Sequence, residues 1–414
     1  MNPLNPLFAV IIFIIAFITA YLTRLKYKVN APDSRNDAID GMRGFLAIGV
    51  FIHHSCIWHQ FIQIGKWQDP GSNLYTQLGQ TSVLLFFMIT SFLFISKLIN
   101  AKEKGFAWPA FFLSRTFRLV PLYIFSKSLI IIFIAFISLW QSNTPQSALL
   151  KIVFPWLSFR IHETPAINNY ENSFLVNCGV YWSLHYEWLF YFSLPLIALL
   201  ILKVKPKKEY IILSLLAVTG FYFFHSVAYY YIIPFIAGAI APILRKYTSF
   251  HKKIKDVHKS ILTIICLFLI GLFPSANNIY CILLISIVFT CIALGATIFG
   301  LLKNATLKFL GEICYSTYLL HGIIIFTVFY MGLGLDSIRH WTPLEYCLVV
   351  FAITPIVVII SIAGFKYIEK PFIDKAKKIS QQLKTGNKIS AAKESLNPLV
   401  TDPIFIKSDT DQIR

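Results

Sequence analysis

The feature that most constrains the fold is a series of apolar runs that recur along the whole sequence. A transmembrane helix needs about 20 consecutive, mainly apolar residues. By that measure the sequence predicts eleven spans, near residues 7–23, 44–62, 81–98, 117–140, 180–202, 209–224, 226–244, 260–274, 278–302, 311–333 and 344–366. We therefore predict an all-α protein, a polytopic membrane helical bundle.

The basic residues indicate how this bundle is oriented. Lysine and arginine concentrate in alternate connections between the predicted spans, and the intervening connections hold only Lys66, Lys151, Arg160 and Arg339. Because basic residues accumulate on the cytoplasmic side of membrane proteins, we predict that the N-terminus lies outside and the C-terminus in the cytoplasm. The net charge of +18 is then a topology signal and not the mark of a nucleic-acid-binding protein.

Three segments follow from these patterns. Residues 1–37 are predicted to form an N-terminal transmembrane anchor and a cytoplasmic linker, because the basic residues follow the first apolar run and would precede it in a signal peptide. Residues 38–373 form the predicted membrane domain, and the polar residues 374–414 a flexible cytoplasmic tail. The connection 141–179 is a long external segment. The seven cysteines form no CxxC pair, so we predict no metal site.

The second predicted span carries ionisable side chains inside an apolar run. Arg43 and His54 in RGFLAIGVFIHH are eleven residues apart, which is almost three helical turns, so they share one helix face about 16 Å apart. Such groups in hydrocarbon are functional candidates. We expect Arg43 to hold the head of an anionic ligand at the cytoplasmic rim while its reactive end meets His54. The structural alternative is a buried His54 bonded to a backbone carbonyl.

A second motif, SRTFRLVPLY, places two arginines on one helix face. Arg115 and Arg118 are three residues apart, just before Pro121 and Tyr123. Arginine binds phosphate oxygens with two parallel hydrogen bonds, so the pair suits a phosphate clamp. The alternative is a pair of cytoplasmic membrane anchors.

Two further motifs supply polar groups. In YWSLHYEWLFY, Ser183, Glu187 and Tyr191 recur every four residues and form one stripe, beside Trp182 and about one turn from the outer face. Glu187 needs a proton or a partner there, and an ion pair with an arginine is the structural alternative. In GEICYSTYLLH, Tyr318 and His321 lie one turn apart, and core packing is the stronger interpretation of that pair.

Together these motifs resemble the acyltransferase-3 family of integral-membrane O-acyltransferases, of the O-antigen and polysaccharide acetyltransferase type. RGFLAIGVFIHH is similar to the family's Arg-x10-His element, and SRTFRLVPLY to its Arg-x-x-Arg-x-x-Pro-x-Tyr segment. YWSLHYEWLFY, GEICYSTYLLH and KYIEKPF resemble later segments, with Cys314 in place of a serine. LLFFMITSFLFI resembles an FFxxSGFL stretch, with Thr90 and Ser91 in place of Ser-Gly. The agreement covers about residues 38–373.

The resemblance implies ten core transmembrane helices, with the first span as one extra N-terminal helix. It also implies that Arg43 and His54 are required, together with Arg115 and Arg118. The implied donor substrate is cytoplasmic acyl-CoA, most often acetyl-CoA, and no bound cofactor is expected. The implied acceptor is a hydroxyl of a cell-surface glycan or of its lipid-linked precursor, such as O-antigen or capsule, served from a bacterial inner membrane.

We therefore expect a membrane-embedded O-acetyltransferase in which CoA phosphates bind Arg115, Arg118 and Tyr123. His54 deprotonates a sugar hydroxyl or becomes transiently acylated. Glu187 orients His54 or the acceptor, Trp182 offers a flat surface for a sugar ring, and Ser183, Tyr191, Tyr318 and His321 support the site. A proton-coupled glycan or lipid transporter, or a catalytically silent scaffold, are the alternatives. The sequence leaves open which acyl group and which hydroxyl react.

Overall fold

The computed structural model describes residues 1–27, 36–101, 105–139, 167, 170, 173–202, 206–224, 227–249 and 253–382. Within these ranges the chain is helical and contains no β-strand, as predicted. The helices are α1 Pro6–Lys26, α2 Asp37–Ile64, α3 Asn73–Ala101, α4 Trp108–Ile137, α5 Trp182–Leu200, α6 Lys208–Phe224, α7 Tyr229–Tyr247, α8 Asp256–Ile270, α9 Ile279–Ala293, α10 Ala305–Glu312, α11 Cys314–Phe326, α12 Leu335–Ile338 and α13 Pro343–Gly364. The π-helical segments Thr327–Leu333 and Phe365–Glu369 extend α11 and α13.

Within the described ranges, six helices are long and apolar enough to cross a membrane. They are Pro6–Lys26, Asp37–Ile64, Asn73–Ala101, Trp108–Ile137, Cys314–Leu333 and Pro343–Gln382. The predicted all-α membrane bundle is confirmed at this level, and the number of eleven spans stays a prediction.

Two departures from the sequence prediction concern where a helix ends. The span predicted at 278–302 ends at Ala293, because Asp256 draws the following segment into a turn by accepting hydrogen bonds from Thr297 N and Oγ1, at 2.8 and 2.5 Å. The last helix continues to Gln382, so residues 374–382 are helical and not part of a flexible tail. Residues 383–414, the rest of the predicted tail, and most of the connection 141–179 lie outside the described residues.

Helix α1 is docked on the bundle along a narrow stripe. Phe8, Ile12, Ala16 and Ala20 recur every four residues and are fully buried, whereas most of the remaining surface of α1 is apolar and exposed. The hydroxyl of Tyr75 in α3 donates to the Asn5 carbonyl at 2.6 Å. A single buried stripe with apolar residues around it is what a helix needs to pack on one side and face lipid on the other.

Glycines bring α2 and α10 into backbone contact, which sets the position of Arg43. A Cβ on Gly311 would lie 1.9 Å from the carbonyl oxygen of Asp40, and one on Gly41 would lie 2.0 Å from that of Leu302. Only residues without a side chain allow this approach. Arg43, one turn from Asp40, is therefore held at the junction of α2, α10 and α11.

We expect Gly311→Ala to destabilise the protein. The added methyl group has no room beside Asp40, so the backbone must shift, and overpacking of this kind costs about 1–3 kcal/mol. The measurement is the fraction of purified protein that stays monodisperse after heating in detergent. Gly220→Ala is the control, because no heavy atom lies within 4 Å of a Cβ there. An equal loss in both variants would show that backbone contact at Gly311 is not what stabilises the junction.

Candidate active site

A cavity of about 270 Å³ lies between α2, α3, α4, α5 and α11. Its lining contains four cations, namely Arg43, Lys97, Arg115 and Arg118, and a single carboxylate, Glu187. Charges removed from bulk water need compensation by a partner of opposite sign. The excess of cations therefore suits an anionic ligand, and we call this space the arginine cavity.

The two arginines of α4 face the cavity because they are three residues apart. The Arg115 guanidinium lies 4.9 Å from the centre of the Phe94 ring, and its Nε is buried without a hydrogen-bond partner among the described residues. Within the same part of the chain Arg118 makes no ion pair or hydrogen bond. Membrane anchors extend toward lipid headgroups, whereas these two side chains line an internal space.

Helix α5 presents the predicted stripe to the same cavity. Ser183, Glu187 and Tyr191 all line it, and the Tyr191 hydroxyl donates to Glu187 Oε1. The position of Glu187 about one turn from the outer face stays a prediction. The buried turn Ser173–Asn177 precedes α5, and Glu187 lines the same cavity as Arg115.

Tyr318 connects the arginine cavity to a pair of histidines. Its side chain lines the cavity, and its hydroxyl donates to the Val180 carbonyl at 2.9 Å and accepts from Ser183 Oγ at 2.7 Å. On the other side, the Tyr318 ring centre lies 6.4 Å from that of His321. This hydrogen-bonded group, Ser183, Tyr318 and the Val180 carbonyl, is called the tyrosine floor below.

His54 and His321, 267 residues apart in sequence, form a hydrogen bond of 2.9 Å between His54 Nδ1 and His321 Nε2. His321 Nδ1 lies 2.9 Å from the Thr317 carbonyl oxygen, which can only accept, so this nitrogen carries a proton. In the neutral ring His321 Nε2 is then an acceptor, and His54 Nδ1 must donate to it. The remaining nitrogen, His54 Nε2, keeps an unprotonated lone pair, as a general base requires.

The His54 ring stacks on two other rings. The His54 ring stacks on His321 at 5.1 Å and on Trp67 at 6.3 Å, with interplanar angles of 24° and 22°. The neighbouring His53 points elsewhere and donates from Nδ1 to the Tyr75 carbonyl at 2.8 Å. The structural alternative, a buried histidine bonded only to a backbone carbonyl, therefore fits His53, whereas His54 combines a backbone contact at Val50 with its hydrogen bond to His321.

The structure separates some of the predicted residues from the cavity. Tyr123 is buried against Tyr181, with ring centres 5.2 Å apart, and does not line the arginine cavity. Trp182 packs on Tyr231 at 4.6 Å, and Trp67 occupies the place beside His54. His54 and His321 also lie outside the cavity lining, beyond Tyr318.

Sequence reasoning missed four residues at or near the site. Lys97 and Cys314 line the arginine cavity. Trp67 lies in a connection, where one aromatic residue among many carries no pattern. Glu369, within the KYIEKPF motif, is fully buried and accepts a hydrogen bond from Ser316 through Oε1. The position of Glu369 inside a motif that had already been quoted was the one signal available in the sequence.

Fold and site together define an integral-membrane helical protein with an internal cavity lined by four cations, next to a pair of hydrogen-bonded histidines. The chain belongs to the acyltransferase-3 family: the sequence model of that family, an acyltransferase domain, matches residues 36–363. The resemblance of the motifs is thereby confirmed, and the protein is a membrane acyltransferase. The matched region begins after α1. No curated protein and no solved structure matches the chain.

Proposed function

We propose that the protein transfers an acyl group, acetyl in the first instance, from acyl-CoA to a hydroxyl of a cell-surface glycan such as O-antigen or capsule. The observation that carries this proposal is a spatial arrangement: the arginine cavity, Tyr318 and His54 lie one after another. A cavity lined by four cations lies on one side of Tyr318, and an imidazole with an unprotonated nitrogen lies on the other.

In this proposal the donor is held by its phosphates. Arg115 and Arg118 bind phosphate oxygens with their paired N–H groups, and Arg43 adds a third guanidinium from α2. Tyr191 and Glu187 support Arg115 from the facing helix. Tyr123 lies outside the cavity and contributes by packing against Tyr181. The acyl chain and the pantetheine arm extend toward Tyr318, where the lining is apolar and aromatic.

The reaction uses His54 Nε2 as the base. It takes the proton of the acceptor hydroxyl while the hydroxyl oxygen attacks the thioester carbonyl carbon, and the C–S bond then breaks. The CoA thiolate leaves and receives the proton from the imidazolium. His321 fixes the tautomer of His54 throughout, and Trp67 offers a flat surface on which a sugar ring can stack. A transiently acylated His54 would use the same nitrogen.

The proposal includes the number of membrane spans and their orientation. Residues 38–373 form the acyltransferase domain with ten membrane spans, and α1 is an additional N-terminal span. The end of the bundle with Arg43 and Arg118 faces the cytoplasm of a bacterium, so the N-terminus lies outside the inner membrane and the C-terminus inside. The donor enters from the cytoplasm, and the acceptor reaches His54 past Trp67.

The test is acyl transfer by the purified protein in lipid nanodiscs. We expect label from [¹⁴C]acetyl-CoA to appear in base-labile esters of a lipid-linked glycan fraction, with release of one CoA thiol per ester formed. The proton-coupled transporter predicts passage of unmodified glycan across a vesicle membrane and no thiol release. Folded protein that moves glycan without forming an ester would contradict the proposal.

A further inference from the structure

A second cavity, of about 450 Å³, adjoins the arginine cavity at the end where α3 and α7 meet. The two share Leu93 and Lys97 in their linings. Two more cations, Arg245 and Lys246 of α7, line this space, and we call it the flank cavity. Its volume lies within the range of about 300–1,000 Å³ that ligand sites occupy.

The cations of the flank cavity are turned toward the bundle. Arg245 Nη1 donates to Asn36 Oδ1 at 3.0 Å, and Lys246 Nζ donates to the Ile99 carbonyl at 3.2 Å. Lys97 Nζ lies 5.0 Å from the centre of the Phe94 ring. Basic residues that only anchor a helix extend their heads toward the lipid headgroups. Here the Arg245 guanidinium bonds to the Asn36 side chain just before α2, and the Lys246 ammonium bonds to the Ile99 carbonyl of α3. Both partners are neutral, so they do not compensate the positive charge of Arg245 and Lys246.

The opening on the other flank of the arginine cavity has a different charge balance. That space, of about 300 Å³, is lined by five cations, those of Arg43, Arg118, Lys308, Lys370 and Lys377, but also by three carboxylates, those of Asp40, Glu312 and Asp374. Arg43 pairs there with Asp40, and Lys377 with Asp374, each at 3.4 Å. The described lining of the flank cavity holds no carboxylate. An anion therefore gains more at the flank cavity.

We infer that the flank cavity binds the ribose 3′-phosphate of CoA, an inference that rests on the proposed use of acyl-CoA as the donor. The diphosphate of CoA is attached to the pantetheine arm, so it belongs beside Arg115 and Arg118, inside the arginine cavity. The 3′-phosphomonoester lies at the opposite end of the donor from the thioester. Arg245 and Lys246 line the flank cavity and not the arginine cavity, whereas Lys97 lines both, so a terminal phosphate can reach them past Lys97 while the diphosphate stays beside Arg115. This site selects 3′-phosphorylated donors.

The inference predicts a loss of discrimination between CoA and 3′-dephospho-CoA. The measurement is the Kd of each compound for the full-length protein in phosphatidylcholine nanodiscs. We expect the unchanged protein to bind CoA about tenfold more tightly than 3′-dephospho-CoA, the effect of one charge-assisted phosphate contact. In Arg245→Gln/Lys246→Gln the two Kd values converge, while that of 3′-dephospho-CoA stays close to the original. Lys375→Gln/Lys378→Gln is the control, since it removes equal charge from exposed residues that line neither cavity.

Three other results would overturn the inference, and they are distinguishable. If neither compound binds, the proposed donor is wrong as well. If both bind but Arg245→Gln/Lys246→Gln discriminates as before, the donor is right and the subsite is wrong. An anionic lipid headgroup offers the same phosphate chemistry. If the double variant retains less co-purified phosphatidylglycerol yet discriminates normally, the flank cavity is a lipid site.

Discussion

Replacement of His54 by alanine is expected to lower the rate of acyl transfer by about 10²–10⁴-fold, the usual contribution of a positioned general base. The reason is that His54 Nε2 is the nitrogen left unprotonated by the hydrogen bonds from His54 to His321 and from His321 to Thr317. The measurement is the rate of [¹⁴C]acetyl ester formation at saturating acetyl-CoA, with the Kd of CoA determined alongside. The Kd should stay unchanged, because His54 lies outside the arginine cavity.

Two variants make this result specific. His53→Asn is the matched control, because His53 hydrogen-bonds to the Tyr75 carbonyl and contacts His54 only ring edge to face, with ring centres 5.1 Å apart. Its rate should stay within about threefold of the original. His321→Ala should lower the rate less than His54→Ala and should change the shape of the pH–rate profile, since His54 loses the partner that fixes its tautomer. A folded His54→Ala protein with the original rate would refute the proposed base.

Replacement of Arg118 by alanine is expected to weaken CoA binding by about 10- to 100-fold, the range for one lost hydrogen-bonded charge contact. Arg118 makes no direct ion pair among the described residues, and the carboxylates of Glu187, Glu312 and Glu369 act on it only at longer range, so a ligand phosphate would be its direct counter-charge. Arg118→Lys should restore part of the affinity, because lysine keeps the charge but loses the planar pair of donors. The measurement is the Kd of CoA by equilibrium titration.

The control for Arg118 is an arginine at the other end of the bundle. Arg339 is exposed and lines neither the arginine cavity nor the flank cavity. Arg339→Ala should leave the Kd of CoA unchanged. If Arg118→Ala instead lowers the rate of transfer and leaves the Kd unchanged, Arg118 acts on the reaction and the phosphate clamp is misassigned.

The parts of the site that lie on one helix could be predicted from spacing. Arg115 and Arg118 are three residues apart, and Ser183, Glu187 and Tyr191 recur every four, so the helical period puts each set on one face. The structure adds that both faces line the same cavity. The sequence also indicated that an ionisable group as deep as His54 needs a partner, and the motif that contains His321 had already been singled out.

The relations between helices could not be predicted in this way. No local pattern shows that His54 meets His321, or that the chain enters the bundle through Ser173–Asn177 before α5 starts. The latter decides which residues surround Glu187, because the hydropathy of span 180–202 predicts a helix but not where in the bundle that helix begins. Trp67 and Lys97 were missed for a related reason. One is in a connection and the other at a helix end, where position depends on tertiary packing.

The tyrosine floor has a consequence for the membrane itself. Tyr318, bonded to Ser183 and to the Val180 carbonyl, stands between the arginine cavity and His54, and the stacked rings of His321, His54 and Trp67 follow it. A continuous file of water from one face of the membrane to the other would conduct protons and dissipate the transmembrane potential. With this path filled by packed side chains, a membrane acyltransferase can carry out its reaction and still act as an electrical insulator.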